Sequence, residues 1–257
     1  MTAEELTAEE IQARVLHRDG LMLVIDKPAG IPVHRGPKGG ANLESSFDAL
    51  RFGLPRPPVL AHRLDKDTSG CLVLGRHRKA LAHLGLLFKH GKVAKTYWAV
   101  VEGCPENEEG TIDMPLGRLD ESRGWWMRPD PKGLPSVTTW KVLGRTAADA
   151  IGGRAPLTWL ALTPVTGRTH QLRVHCAAMG WPIVGDNIYG TAPRFGAVVM
   201  HLHAREVSVP LSKNKAPVRV VAPVPSHMRE RLAACGWAAA DEGPHPASFF
   251  EKQPHAK

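Results

Sequence analysis

An α+β fold on a mostly antiparallel or mixed sheet is predicted by three features of the sequence. Short strand-like runs are scattered along the chain, helical stretches interrupt them irregularly, and regular βαβ alternation is absent. No internal repeat or linker divides the 257 residues, so one domain is expected over 15–237. An N-terminal extension, 1–14, should precede it. A small, polar, proline-containing tail, 238–257, should be disordered.

The elements follow in order. Thr7-Ala8-Glu9-Glu10 fits a capping box and predicts a short opening helix. Strands are expected at 14–17 and 21–25 around the turn-like Asp19-Gly20, and three glycines and a proline make 36–41 a surface loop. A helix is expected at 43–52, ended by Gly53 and Pro55. Strands at 59–64 and 71–74 should flank a polar turn, 65–70. The spacing of Leu81, Leu84, Leu87 and Phe88 predicts an amphipathic helix over 79–90. Alternation at 95–101 sends Tyr97, Ala99 and Val101 to one face and Thr96, Trp98 and Val100 to the other. Further strands are expected at 111–114, 137–143 and 159–162, then a helix at 169–179 with Leu172, Cys176 and Met179 on one side. Strands at 198–202, 206–209 and 218–221 and a helix at 226–235 close the chain.

With 43% apolar and 23% charged residues, the composition is that of a soluble globular protein rather than a disordered or fibrous one. The formal charge of +8 suits a polyanionic partner. Cys71, Cys104, Cys176 and Cys235 stand singly, which argues against a zinc ribbon, redox motif or disulfide scaffold and fits the reducing cytoplasm. The acidic N-terminus lacks the order of a signal peptide, and no run of 18 apolar residues suggests a membrane span.

Three polar segments could carry chemistry. His62-Arg63-Leu64-Asp65-Lys66-Asp67-Thr68-Ser69-Gly70 lies where a strand ends in a turn, a place that can aim side chains into a cleft. A polar hairpin with Asp65 or Asp67 capping backbone N–H groups explains the same residues, and two carboxylates could also ligate a metal. Thr166-Gly167-Arg168-Thr169-His170-Gln171-Leu172-Arg173-Val174-His175 could open a helix that attracts phosphate, or be a solvated helix start. His170 and His175 are five apart, which is not the spacing of a helical zinc pair, and His201 and His203 fit core or edge positions. Lys95-Thr96-Tyr97 offers an aromatic platform for a base, or an ordinary core tyrosine. Upstream, Arg76, Arg78, Lys79, Lys89, Lys92 and Lys95 occupy 20 residues without an acid, a pattern that points to phosphate contact.

Together these segments resemble the catalytic domain of the RluA-type pseudouridine synthases. The resemblance rests on His62-Arg63-Leu64-Asp65 followed by Thr68-Ser69-Gly70. It is reinforced by Lys27-Pro28-Ala29-Gly30, Lys95-Thr96-Tyr97 through Glu102-Gly103, Gly167 through His175, and Gly185-Asp186 with Tyr189-Gly190. The ordered set covers roughly 15–222. Only about 15 residues precede it, so the small S4-like RNA-binding domain of many relatives is not expected, and Asp26 stands where relatives often have asparagine.

The resemblance implies a mixed sheet flanked by helices and an isomerase that converts uridine to pseudouridine in structured rRNA or tRNA. It implies Asp65 as nucleophile, Tyr97 stacked on the target uracil and Arg173 paired with Asp65. Leu172 would wall the base pocket and Arg63 would fill the space left by a flipped nucleotide, with Thr68, Arg168 and His170 completing the substrate-binding set. No cofactor, metal, membrane or obligatory protein partner is implied, and a monomer suffices. The alternatives are a non-catalytic RNA-binding or ribosome-assembly protein that kept the fold and, more distantly, a metal-dependent nuclease.

Overall fold

The computed structural model describes residues 5–36, 39–120, 125–146, 156–193 and 198–242. In chain order the helices and strands are α1 (Ala8–Gln12), β1 (Val15–Arg18), β2 (Met22–Lys27), β3 (Val59–Leu60), β4 (Ser69–Gly75), α2 (Arg78–Lys89), β5 (Ala94–Glu102), β6 (Glu109–Asp113), β7 (Leu116–Arg118), β8 (Met127–Pro129), β9 (Val137–Arg145), β10 (Leu157–Pro164), α3 (Gln171–Ala178), β11 (Leu202–Val209), β12 (Val218–Val221) and α4 (Ser226–Ala234). The fold is α+β on a mixed, mostly antiparallel sheet with a few helices, as the sequence predicts. The chain divides into two compact units. The first comprises Met1–Val93, Arg205–Pro223 and Ala238–Lys257; the second comprises Ala94–Ala204 and Val224–Trp237. Of the tail expected to be disordered, 243–257 lie outside the described residues, as do 37–38 of the expected surface loop.

In the first unit, the Thr7 hydroxyl accepts from the Glu10 N–H and the Glu10 carboxylate accepts from the Thr7 N–H, which completes the expected capping box. Asp19 closes the β1–β2 turn by accepting from the N–H groups of Leu21 and Met22. Antiparallel pairing of β2 with β4 runs from Met22 opposite Gly75 to Lys27 opposite Gly70. Met22, Leu23, Val24 and Ile25 are all fully buried, which accounts for an unbroken apolar run where a half-exposed strand would alternate. The face bearing Met22, Val24, Cys71 and Val73 packs with Leu84 of α2 and with Val207, Val209 and Val220. Leu87 and Phe88 pack against the same cluster, so the predicted apolar stripe of α2 is the one it buries.

Two expectations for this unit need correction. The helix expected at 43–52 is a 3-10 helix, Leu43–Leu50, capped by Asn42. Its serines bond elsewhere: the Ser45 hydroxyl donates to the Asn42 carbonyl, a local alternative that weakens an α-helix, and the Ser46 hydroxyl donates to the distant Leu6 carbonyl. The strand expected at 59–64 stops at Leu60. There the Nε2 of His62 accepts from the Val73 N–H at 3.0 Å, taking the place of a ladder carbonyl and freeing the chain to turn towards Asp65.

The second unit is an antiparallel run in the order β5-β10-β9-β6, with β7 and β8 paired as a separate hairpin. The alternation predicted for β5 is observed. Tyr97, Ala99 and Val101 join Trp140, Leu160 and Leu162 in the cluster that receives Leu172 and Cys176 of α3. Trp98 and Val100 join Trp159 and Met228 and Leu232 of α4 on the other side. Helix α3 starts at Gln171 rather than 169 because His170 is left-handed, with φ 53°. Met179, expected beside Leu172 and Cys176, is 44% exposed. The two strands expected at 198–202 and 206–209 are one, β11, and residues 198–201 precede it. The His201 backbone bonds instead to the Val184 carbonyl and the Val100 N–H. Strands β7 and β8 carry too little apolar alternation to have been anticipated.

Gly144 lies at the register shift between β9 and β10, where a Cβ would collide with the Cys235 carbonyl oxygen. Gly144→Ala is therefore expected to lower the unfolding free energy by about 1–3 kcal/mol, read as a reduced denaturation midpoint with unchanged slope.

Candidate active site

In the first unit, Lys27 anchors the turn that carries Asp65. It is fully buried at the end of β2, and its ammonium donates to the carbonyls of Pro28, Lys66 and Thr68, each at 2.8 Å. Three acceptors match the three protons of an ammonium group. Two of them belong to the turn that carries Asp65. The same turn is closed by the Thr68 N–H donating to the Asp65 carbonyl at 3.2 Å and tied to Gly30, whose N–H donates to the Lys66 carbonyl at 2.9 Å. Gly70, opposite Lys27, has φ 102°, a conformation that glycine adopts without strain. Lys27-Pro28-Ala29-Gly30, to which the sequence analysis gave no role, is thus the anchor of the turn.

Burial pushes the Lys27 amine down to about 7, against the pull of Asp67, Asp65 and Asp26. Within the turn Asp65 is half-buried, Arg63 is exposed, and Leu64 and Thr68 are buried. His62 stacks on Phe88 of α2, with ring centroids 4.5 Å apart. Of the acid-free stretch, Arg76 is a structural residue: it donates to the carbonyls of Asp19, Arg51 and Phe52. Arg78, Lys79, Lys89 and Lys92 are exposed.

In the second unit, β5, α3 and the 185–190 loop carry the remaining candidate residues. Tyr97 is half-buried opposite Leu162 and packs against the cluster that includes Leu172. Lys95 is also half-buried, and burial lowers its pKa. Arg173 is almost fully buried. The sequence analysis pairs it with Asp65, but within its own unit the residue that holds it is Asp186, which accepts from Nε and from Nη2 at 2.8 Å each. Burial would raise the Asp186 carboxyl, but the Arg173 guanidinium and the N–H groups of Ile188 and Tyr189 hold it below the usual carboxylate range.

The remaining residues of the second cluster separate by role. Gln171 ties the entry of α3 to β9: its side-chain carbonyl accepts from the Thr166 hydroxyl and the Arg168 N–H, and its amide donates to the Val137 carbonyl and the Thr138 hydroxyl. His175 is buried between the Thr138 hydroxyl and the Met114 carbonyl, and burial lowers its pKa. His170 is buried and bonds through Nδ1 to the Tyr189 hydroxyl at 2.8 Å. Arg168 is exposed, its Nε donating to the Pro135 carbonyl. His201 and His203 are buried, as expected of core residues. Lys27, Gln171, His175, Asp186 and Tyr189 were overlooked as contributors, although each stands in a quoted motif.

A family model described as RNA pseudouridylate synthase matches residues 21–178. An uncharacterized RNA pseudouridine synthase of Zymomonas mobilis is 42% identical over 214 residues, covering 82% of this chain and 94% of the relative. The ribosomal large subunit pseudouridine synthase C of Vibrio cholerae is 33% identical over 232 residues, covering 87% of this chain and 69% of the relative. Among solved structures, human RNA pseudouridylate synthase domain containing 4 superimposes with a TM-score of 0.72 at 27% identity, over 89% of this chain and 95% of that one. The chain belongs to the RNA pseudouridylate synthase family. Its motifs are those of the RluA type, isomerases that convert uridine to pseudouridine in RNA.

Lys27 yields a prediction with a definite sign. Its folded pKa, about 7, lies below the ordinary 10.5, so folding releases a proton between those values. The penalty for burying the charged amine is full below pH 7 and fades as pH rises through that window. Lys27→Met leaves three carbonyls unmatched and should be less stable than wild type by about 1–3 kcal/mol at pH 9. The gap should narrow towards pH 7, as checked by urea melts across the range.

Proposed function

We propose that the chain isomerises specific uridines of structured ribosomal or transfer RNA, with the Asp65 carboxylate as its single covalent catalyst. The observation that carries this reading is the fixation of the Asp65 turn: a half-buried carboxylate stands on a backbone whose carbonyls are bound by a buried ammonium. The reaction breaks the N–C bond between uracil and ribose, turns the base, and joins carbon 5 to the same ribose carbon. The proton of carbon 5 is lost and the released ring nitrogen gains one, so atoms and electrons balance without a cofactor or metal. Attack by Asp65 on the ribose or on the pyrimidine ring gives the same product. In either route the carboxylate must be ionised, aimed and enclosed.

Arg173 is the cation that keeps Asp65 ionised, as the resemblance implies. Tyr97 stacks on the flipped uracil. Flipping costs a few kcal/mol, and base–aromatic stacking returns on the order of 1–3 kcal/mol. Arg63 is exposed and able to occupy the vacated place in the RNA. Thr68, Arg168, His170 and Leu172 complete the substrate-binding set. The catalytic region is 15–237, acting in the cytoplasm as a monomer without an obligatory protein partner. Similarity to the ribosomal large subunit pseudouridine synthase C of Vibrio cholerae favours a ribosomal target.

Two experiments test the reading. Purified Asp65→Asn should fold and bind RNA but release no tritium from RNA labelled at uridine carbon 5; normal release would end the mechanism, and inactivity of the wild type would favour a binding protein that kept the fold. Tyr97→Phe should retain more activity than Tyr97→Ala in the same assay if stacking is the task of Tyr97. Equal losses would assign the hydroxyl a chemical part instead.

A further inference from the structure

Arg173 is held more tightly than a surface ion pair would hold it. Its side chain is 4% exposed and that of Asp186 is 1% exposed, and the two share a bidentate pair. Asp186 Oδ1 also accepts from the N–H groups of Ile188 and Tyr189, so four donors fix the carboxylate. The loop is closely packed at two glycines. Gly185 has φ 80° and a Cβ there would lie 2.5 Å from the Val198 carbonyl oxygen; at Gly190 it would lie 2.7 Å from that of Asp186. The Tyr189 ring lies beside the guanidinium, 5.2 Å from Arg173 Cζ to the ring centroid. Its hydroxyl accepts from the Met127 N–H on β8 and can donate to His170 Nδ1.

His170 is the left-handed residue from which α3 departs, and Arg173 follows three residues later. Tyr189 therefore fixes both ends of the lever that aims the arginine: its ring beside the guanidinium and its hydroxyl at the helix start. A buried carboxylate and a buried guanidinium cost desolvation that a well-packed apolar pair avoids, and retaining them makes sense where the geometry of the cation matters. Asp186 takes Nε and Nη2, one edge of the planar fork, and so sets the direction of the other.

We infer that Asp186 and Tyr189 are positioning residues for the isomerisation, acting through Arg173 rather than on the nucleotide. The inference rests on the reading that Arg173 serves Asp65. A residue that only positions a catalytic cation should affect the chemical step and leave RNA binding largely intact. A residue that binds RNA should do the reverse.

The test uses the full chain with total RNA labelled with tritium at uridine carbon 5, taken from cells that lack the protein. Wild type, Asp186→Asn, Tyr189→Phe and Asp65→Asn are compared for tritium release at saturating RNA, half-saturating RNA concentration and thermal midpoint. Asp186→Asn is expected to lower the saturating rate about tenfold or more, with less than about threefold change in half-saturation. Tyr189→Phe, which keeps the ring, should lower the rate in the same way by a smaller factor. A folded Asp186→Asn with the wild-type saturating rate, or one impaired only in half-saturation, overturns the inference. Should Asp186→Asn fail to fold, Tyr189→Phe decides: a lowered saturating rate supports the inference and an unchanged one overturns it. Product from Asp65→Asn would sink the underlying reading. An inactive Asp65→Asn beside a fully active Asp186→Asn sinks only the positioning role.

Discussion

A lysine ammonium buried against three main-chain carbonyls is the constraint on which the Asp65 turn depends. A polar turn next to a buried strand normally finds its hydrogen bonds in water. Here the carbonyls of Pro28, Lys66 and Thr68 converge on one nitrogen, and the Thr68 and Gly30 N–H groups close the remaining gaps. These hydrogen bonds fix the backbone from which the Asp65 side chain projects. Charge burial weakens the grip of Lys27 on its proton, and the three nearby aspartates oppose that loss. The anchor is therefore linked to Asp65 electrostatically and, through the Lys66 and Thr68 carbonyls, to the backbone of its turn.

The second unit also buries a cation but balances it with a full opposite charge. A buried guanidinium is neutralised by a buried carboxylate, and that carboxylate is neutralised further by two backbone N–H groups. In both places a charged side chain that matters is gripped by atoms that cannot easily move: main-chain carbonyls around Lys27, and a loop confined by two glycines around Arg173. Arg63 and the basic residues of α2, Arg78, Lys79 and Lys89, are exposed instead.

Much of the fold was readable because its signals are local. The β5 alternation, the apolar stripe of α2, the Thr7 capping box and the Asp19 turn each depend on residues within one element, and each is present as expected. The misreadings arose where a distant partner decided the outcome. His62 ended a strand by substituting its ring nitrogen for a carbonyl, and the His201 backbone bonded to two other segments instead of extending β11. The family and its reaction type were legible in the order of the motifs. What residue types could not show is which motif members hold others. Lys27 lies 39 and 41 residues from Lys66 and Thr68, and Asp186 lies 13 from Arg173; no spacing rule links such positions.

The central claim is that one carboxylate, Asp65, makes pseudouridine in RNA. Transcriptome-wide pseudouridine mapping in cells whose own copy is replaced by Asp65→Asn addresses it most directly. The account predicts that a small set of modified uridines, in ribosomal or transfer RNA, disappears as completely as in cells lacking the protein and returns with the wild-type chain. Full modification at those same positions in the Asp65→Asn cells would contradict it.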